Sequence, residues 1–236
     1  MGRAFVKVIN MEAKLESRKV VNMDEHIGSR VKKGFKVLAV SDTHGDNKKI
    51  NELADLAEKE KVDLVVLAGD FSKDHEEIPE NVIGPFLKNN RRVVFVPGNH
   101  DTMSTTYFLS ELYKVKHLHG KATMYGDIGF FGCGFANIGP NAITEEDILY
   151  QLKQSFKEIK DAKTKIMITH SHPSGTKMEK LTKIMPGSVA VRKAIEELNP
   201  DLVICGHVHE GEGIEEMIGK SRVINVAKSG KIIEFG

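Results

Sequence analysis

The sequence predicts a mixed α/β domain, with parallel strands early in the chain and antiparallel strands late. Three observations carry this expectation. A chain of 236 residues suits one sizeable core rather than two. From residue 36 onward, short apolar runs alternate with segments whose apolar residues recur at helical spacing. Near the C-terminus, three short strand-like runs follow one another too closely for helical crossovers and are expected to pair antiparallel.

The elements follow in order. Residues 36–41 (KVLAVS) form a buried-type strand. Asp46 is placed to cap a helix whose Ile50, Leu53, Ala54 and Ala57 share one face. Residues 63–68 and 93–96 are the second and third strands, with a helix expected around 80–89 between them and another over 104–112. Residues 121–125 and 128–132 flank Gly126-Asp127, a two-residue hairpin turn. Thr144, with Asp147 three residues on, resembles a capping box opening a helix with Ile148, Leu152, Phe156 and Ile159 on one side. A strand over 165–169 comes next, then a helix marked by Val191, Ala194, Ile195 and Leu198 and stopped at Asn199-Pro200. The strand 202–205 precedes the three closing runs at 214–218, 222–226 and 231–235. Residues 1–34 are set apart as an N-terminal extension with no assigned role, and 35–236 as the domain.

Composition narrows the function classes. Lys and Arg total 34 against 33 Asp and Glu, and the lysines interleave with glutamates as on a solvated helix face. Nucleic acid is therefore not the expected partner, since such modules carry a basic excess or stripe. No apolar run approaches the roughly 20 residues that span a bilayer, and the N-terminus does not resemble a signal peptide. Cys133 and Cys205, the two cysteines, lie inside apolar strand-like runs, which fits buried thiols in a reducing cytoplasm rather than a disulfide.

The most informative feature is where the polar residues fall. Five strands each run into a cluster of metal-competent side chains. These are Asp42-Thr43-His44, Gly69-Asp70, Gly98-Asn99-His100-Asp101, Thr169-His170-Ser171-His172 and Gly206-His207-Val208-His209. In open α/β sheets, ligands bind in the crevice beyond the carboxyl ends of the strands. One such Asp or His is an ordinary turn residue, but independent turns would not repeatedly choose histidine. Carboxylate, imidazole and amide oxygen without thiolate suit Mn, Fe, Zn or Co. Seven donors exceed what one tetrahedral ion takes and match two ions, about 3.5–4 Å apart, sharing a carboxylate.

These five motifs, in this order, resemble the calcineurin-like metallophosphoesterase superfamily, over about residues 36–230. The resemblance implies two mixed β-sheets packed as a sandwich and flanked by helices, a four-layer fold. It implies that Asp42, His44 and His209 hold one ion, that Asn99, His170 and His207 hold the second, and that Asp70 bridges both. Two divalent ions are the implied cofactors, Mn first, with Fe, Zn, Co or Ni as alternatives. The implied chemistry is hydrolysis of a small phosphate ester by a metal-bridging hydroxide, a phosphodiester slightly ahead of a phosphomonoester. His100 would act as general acid or phosphate-oxygen donor, with Asp101 orienting its ring.

A metal-dependent nuclease and a protein-interaction scaffold of the same fold are the competing expectations. A scaffold should lack a ligand or the substrate-facing histidine, and none is missing. His172 is expected to be an exposed loop residue or a group behind the ligands, and His117 and His119 to be structural. No role is assigned to His26 or His75. The loops 71–77, 135–144 and 174–183 are expected to line a fairly open crevice, with Lys73, Asn137 and Lys177 as ordinary solvated residues. Sequence assigns no oligomeric state.

Overall fold

Strands covered on both faces are apolar without alternation, and β1 (Phe35–Val40), β2 (Leu64–Leu67) and β3 (Arg92–Phe95) are built this way. The structure, a computed structural model, describes residues 34–73, 81–182 and 185–235. The extension thus lies outside the described residues except for Gly34, as do His26 and His75. Two sheets pack face to face. The first has the order β11-β1-β2-β3-β4, where β4 is Lys116–His117 and β11 is Lys231–Phe235. The second has the order β5-β6-β7-β8-β10-β9, made from Ala122–Tyr125, Ile128–Cys133, Thr164–Thr169, Leu202–Cys205, Ser221–Asn225 and Glu215–Ile218 respectively.

Strand alternation sorts each buried strand between two layers. Val37 and Ala39 of β1 and Val66 of β2 face Phe130, Ile168, Ile204 and Ile224 in the core between the sheets. Leu38, Val40, Val65 and Leu67 point the other way, against Ile50, Leu53, Ala54 and Ala57 of helix α1 (Asn47–Lys59). On the far side, Phe131, Met167 and Val203 pack against helices α3 (Glu145–Lys157) and α5 (Val189–Leu198). The layers run helix, sheet, sheet, helix, as the resemblance implied. Helix α2 (Met103–Tyr113) leads from β3 to β4. Among the described residues no helix is long and apolar enough to cross a membrane.

The expected caps hold. Asp46 accepts from the Lys49 N–H at 3.0 Å, and Thr144 from the Asp147 N–H at 3.1 Å. Three local expectations need correction. The segment expected as a helix around 80–89 is a 3-10 helix at Gly84–Asn90, with Pro85 in its first turn; a stretch this short, ended by Asn90 at positive φ, gains no full α-helical ladder. Within 174–183 a five-residue helix, α4 (Lys177–Leu181), stands where a loop was expected. Its one buried side chain, Met178, leaves no periodicity to read.

The three closing strands also do not form one antiparallel group. β9 and β10 pair antiparallel, but β10 lies parallel to β8, and β11 crosses to the other sheet to pair antiparallel with β1. The crossing begins where the Lys228 N–H donates to Ser41 O at 3.0 Å. It places Ile233 opposite Val37, burying it in the core between the sheets. The second sheet is consequently more parallel than the sequence indicated.

His117 is structural, as expected. Its ring is buried beside Phe95 and Tyr107, and Nε2 accepts from Lys121 Nζ at 2.8 Å. Burial, with the Lys121 ammonium adding to it, lowers its pKa to about 4. The unfolded chain protonates this group near 6.5, so between pH 6.5 and 4 the unfolded state binds more protons. Stability contributed by neutral His117 is therefore full above pH 6.5 and lost as pH falls toward 4. His117→Phe is expected to flatten the decline of melting temperature over that window; an unchanged slope would assign the acid sensitivity elsewhere.

Candidate metal centre

The five strand ends meet along one rim, where the carboxyl ends of β1, β2 and β3 face those of β7 and β8 across the sandwich. Backbone bonds lace them together. The Asp42 N–H donates to Gly69 O and the His44 N–H to Asp70 O, each at 3.0 Å. The Gly206 N–H donates to His170 O at 3.0 Å, and the His207 N–H to Asp42 Oδ2 at 3.1 Å. This packing leaves no room for side chains at the glycines. A β-carbon on Gly98 would collide with the Asp70 carboxylate, and one on Gly69, whose φ is +97°, would meet His170 Nδ1 at 2.7 Å.

Asp42, His44, Asp70 and His207 all adopt positive φ, between 43° and 70°. Such conformations each cost about 1–3 kcal/mol away from glycine and cluster where function needs them. Here they turn four side chains abruptly off their strands and into one space.

Two donor sets result. One ligand atom each from Asp42, His44 and His209 lie within 4.8 Å of one another, and so do those from Asp70, His170 and His207. Asn99 joins the second set, with Oδ1 3.1 Å from His170 Nε2. Asp70 connects the sets, because its Oδ2 stands 3.3 Å from His170 Nε2 and 3.7 Å from His44 Nε2. All seven residues expected as ligands are gathered here.

The chemistry of these contacts fits cations. His170 Nδ1 donates to Ala68 O at 2.8 Å, and His44 Nδ1 to Ser72 O at 3.2 Å. Each bond fixes the proton on Nδ1 and turns the Nε2 lone pair inward. His170 Nε2 then faces two oxygens, and His44 Nε2 faces His209 Nε2 at 3.3 Å. Acceptors in such contact need positive charge between them. Without an ion a proton must supply it: burial opposes the charged imidazole, but Asp70, then Asp42 and the Ala68 carbonyl, together outweigh burial and raise His170 to about 9. His207 is lowered to about 3, first by burial and then by His170, and so presents a neutral ring suited to ligation. Burial works against ionised Asp42, but the His209 hydrogen bond and the His170 charge hold it below its ordinary value.

The remaining expected residues divide. His100 sits half-buried at the rim, its ring edge-on to His44 with centroids 5.1 Å apart, and its backbone N–H donates to Asp70 Oδ1 at 2.9 Å. Asp101 is buried, and its carboxylate accepts from the N–H groups of Gly98 (2.7 Å), Ser72 (3.0 Å) and Phe71 (3.1 Å). Burial and the neighbouring Asp70 push it up to about 6, against those three donors. Its bonds tie the loops after β2 and β3 together, rather than orienting the His100 ring as expected. His172 is fully buried, which removes the first of its two expected places, an exposed loop, and leaves the second, a group behind the ligands. Cys205 points away from the site, with Sγ 3.9 Å from Met178 Sδ. Asn137 is a clasp between loops, accepting from Ser171 Oγ at 3.2 Å and donating to Pro186 O at 3.3 Å. Lys73 and Lys177 are exposed.

Two supporting residues escaped the sequence. Asn141 donates through its backbone and its side chain to Asn99 O, at 3.1 and 3.0 Å. Asn225 is fully buried and donates to Val208 O at 2.9 Å, steadying the turn that carries His207 and His209. An asparagine inside the strand-like run 222–226 was the available signal for the latter.

Oxygen and imidazole donors gathered in two sets around one carboxylate, on a sandwich of this topology, define the class: a metal-dependent phosphoesterase. Residues 35–211 match the calcineurin-like phosphoesterase family, and the chain belongs to that family. It is 31% identical over 207 residues to the uncharacterized protein MJ1162 of Methanocaldococcus jannaschii, covering 82% of this chain and 88% of that protein. Among solved structures, TT1561 of Thermus thermophilus superposes with a TM-score of 0.67 at 20% identity, over 84% of this chain and 91% of that one. A dimetal phosphatase from Danio rerio superposes with a TM-score of 0.54 at 12% identity, over 83% and 88%. At these identities the two structures share the fold.

Proposed function

We propose that the chain hydrolyses a small phosphate ester, a phosphodiester ahead of a phosphomonoester, using two divalent ions of which Mn is the first candidate. The observation that carries this is the position of Asp70 Oδ2, 3.3 Å from one donor set's imidazole and 3.7 Å from the other's. Asp42, His44 and His209 would hold one ion, Asn99, His170 and His207 the second, and Asp70 both. When bound, the ions supply an activated water and neutralise charge on the phosphate.

The chain supplies the rest. His100, beside the ligand Asn99, hands a proton to the departing ester oxygen. Asp101 holds the loop that carries it. The Ala68 and Ser72 carbonyls keep His170 and His44 in the ligating tautomer. A near-neutral chain favours a small ester over nucleic acid, and two buried free thiols favour a cytoplasmic setting.

The test compares a nitrophenyl phosphate monoester with the corresponding bis-ester, on protein loaded with Mn, Fe, Zn, Co, Ni or Mg. Turnover of both is expected, the bis-ester faster and Mn among the best ions. No turnover of either ester with any ion would sink the proposal.

A further inference from the structure

Among the ligating histidines, His207 lacks a support that others have. His44 and His170 each donate one ring N–H to a backbone carbonyl. An imidazole that ligates through one nitrogen carries its proton on the other, and that proton needs an acceptor. No described residue bonds the His207 ring, and its Nε2 is buried without a hydrogen-bond partner.

Beside it lies a second anomaly. His172 is fully buried, and neither of its ring nitrogens has a hydrogen-bond partner among the described residues. Buried polar atoms are rarely left so. The two rings lie almost parallel, 25° apart, with centroids separated by 6.2 Å. Each ring nitrogen lies roughly 1.1 Å from its centroid, so nitrogens of the two rings approach no closer than about 4 Å, which excludes a direct hydrogen bond and means that a link between them runs through a bridging water. The backbone fixes His172 firmly, since its carbonyl accepts from the Ser188 N–H at 2.8 Å and Pro173 pairs with Ser188.

We propose that His172 is a positioning residue for His207, holding that ring through a single buried water so that it ligates the second ion. The proposal rests on the two-ion function above. His172 touches no substrate; it acts through His207 in the way the two carbonyls act on their histidines. Groups of this kind typically change metal affinity by about 10–100-fold.

The experiment measures Mn(II) binding by calorimetry on the full chain, with electron paramagnetic resonance separating a spin-coupled ion pair from isolated ions. The native chain is expected to bind two ions as a coupled pair. His172→Phe keeps a flat buried ring but removes both nitrogens, and is expected to keep the first ion while weakening the second by about tenfold or more. His172→Gln retains groups able to hold the water and is expected to stay within about threefold of native. Should the Phe variant fail to fold, His172→Ala serves the same comparison. Phe and Ala variants that bind the second ion as the native chain does would overturn the proposal. So would equal weakening of both ions, or a Gln variant no better than Phe, either of which means packing alone. A native chain that binds no ion pair would overturn the two-ion function itself, and the two failures are thereby told apart.

Discussion

Asp70→Asn is expected to release both ions together. The substitution keeps the shape of the side chain and removes the charge that the two donor sets share. Its Oδ2 is the atom that reaches both His44 and His170, and it raises His170 by its charge and its hydrogen bond. With the charge gone, the first site keeps only the Asp42 carboxylate and the second keeps none. Partners one shell further out already cost about 10–100-fold in metal affinity, so a shared ligand is expected to cost more than about 100-fold at each site. Phosphoesterase activity should fall with the ions. The metal-free variant is expected to fold, because the new amide can donate to the inward imidazole nitrogens. Metal analysis after dialysis provides the check: retention of one ion at near-native affinity would show that Asp70 does not bridge.

His100→Asn is expected to separate substrates by leaving group. An alkoxide leaves with difficulty unless it is protonated as the bond breaks, and a positioned acid contributes about 10²–10⁴-fold to such a step. A nitrophenolate leaves without that help. The variant should therefore slow alkyl phosphate esters by about 10²-fold or more while slowing nitrophenyl esters by less than about tenfold. Ion content should stay native, since the His100 ring meets His44 only edge-on and its hydrogen bond to Asp70 comes from the backbone. Equal losses on both substrate types would remove the acid role and leave His100 as a phosphate contact.

Much of this was legible because the controlling physics is local. The apolar runs of β1, β2, β3, β7 and β8 are continuous where both faces are covered, and the clusters Asp42–His44, Asp70, Asn99, His170 and His207–His209 stand at their ends in chain order. Helices with a clear stripe and a capping residue, such as α1 and α3, were placed within a residue or two. What failed was non-local or too short. The destination of β11 depends on Ile233 finding Val37 in the other sheet, which spacing along the chain cannot reveal. Helix α4 has one buried residue and no period. Asp101 stands in the loop after β3, and its choice of three backbone donors over a ring depends on how two loops fold against each other. The burial of His172 was undecided for the same reason: its sequence fitted an exposed loop or a place behind the ligands, and the pairing of its segment with Ser188 decides between them.

The donors come from both halves of the sandwich: Asp42, His44, Asp70 and Asn99 from one sheet, His170, His207 and His209 from the other. Filling this centre would rivet the halves to each other, since a ligand that favours only the native arrangement stabilises it by mass action. The supply of ion would then govern how long the chain survives heat and proteases, and not merely how fast it works.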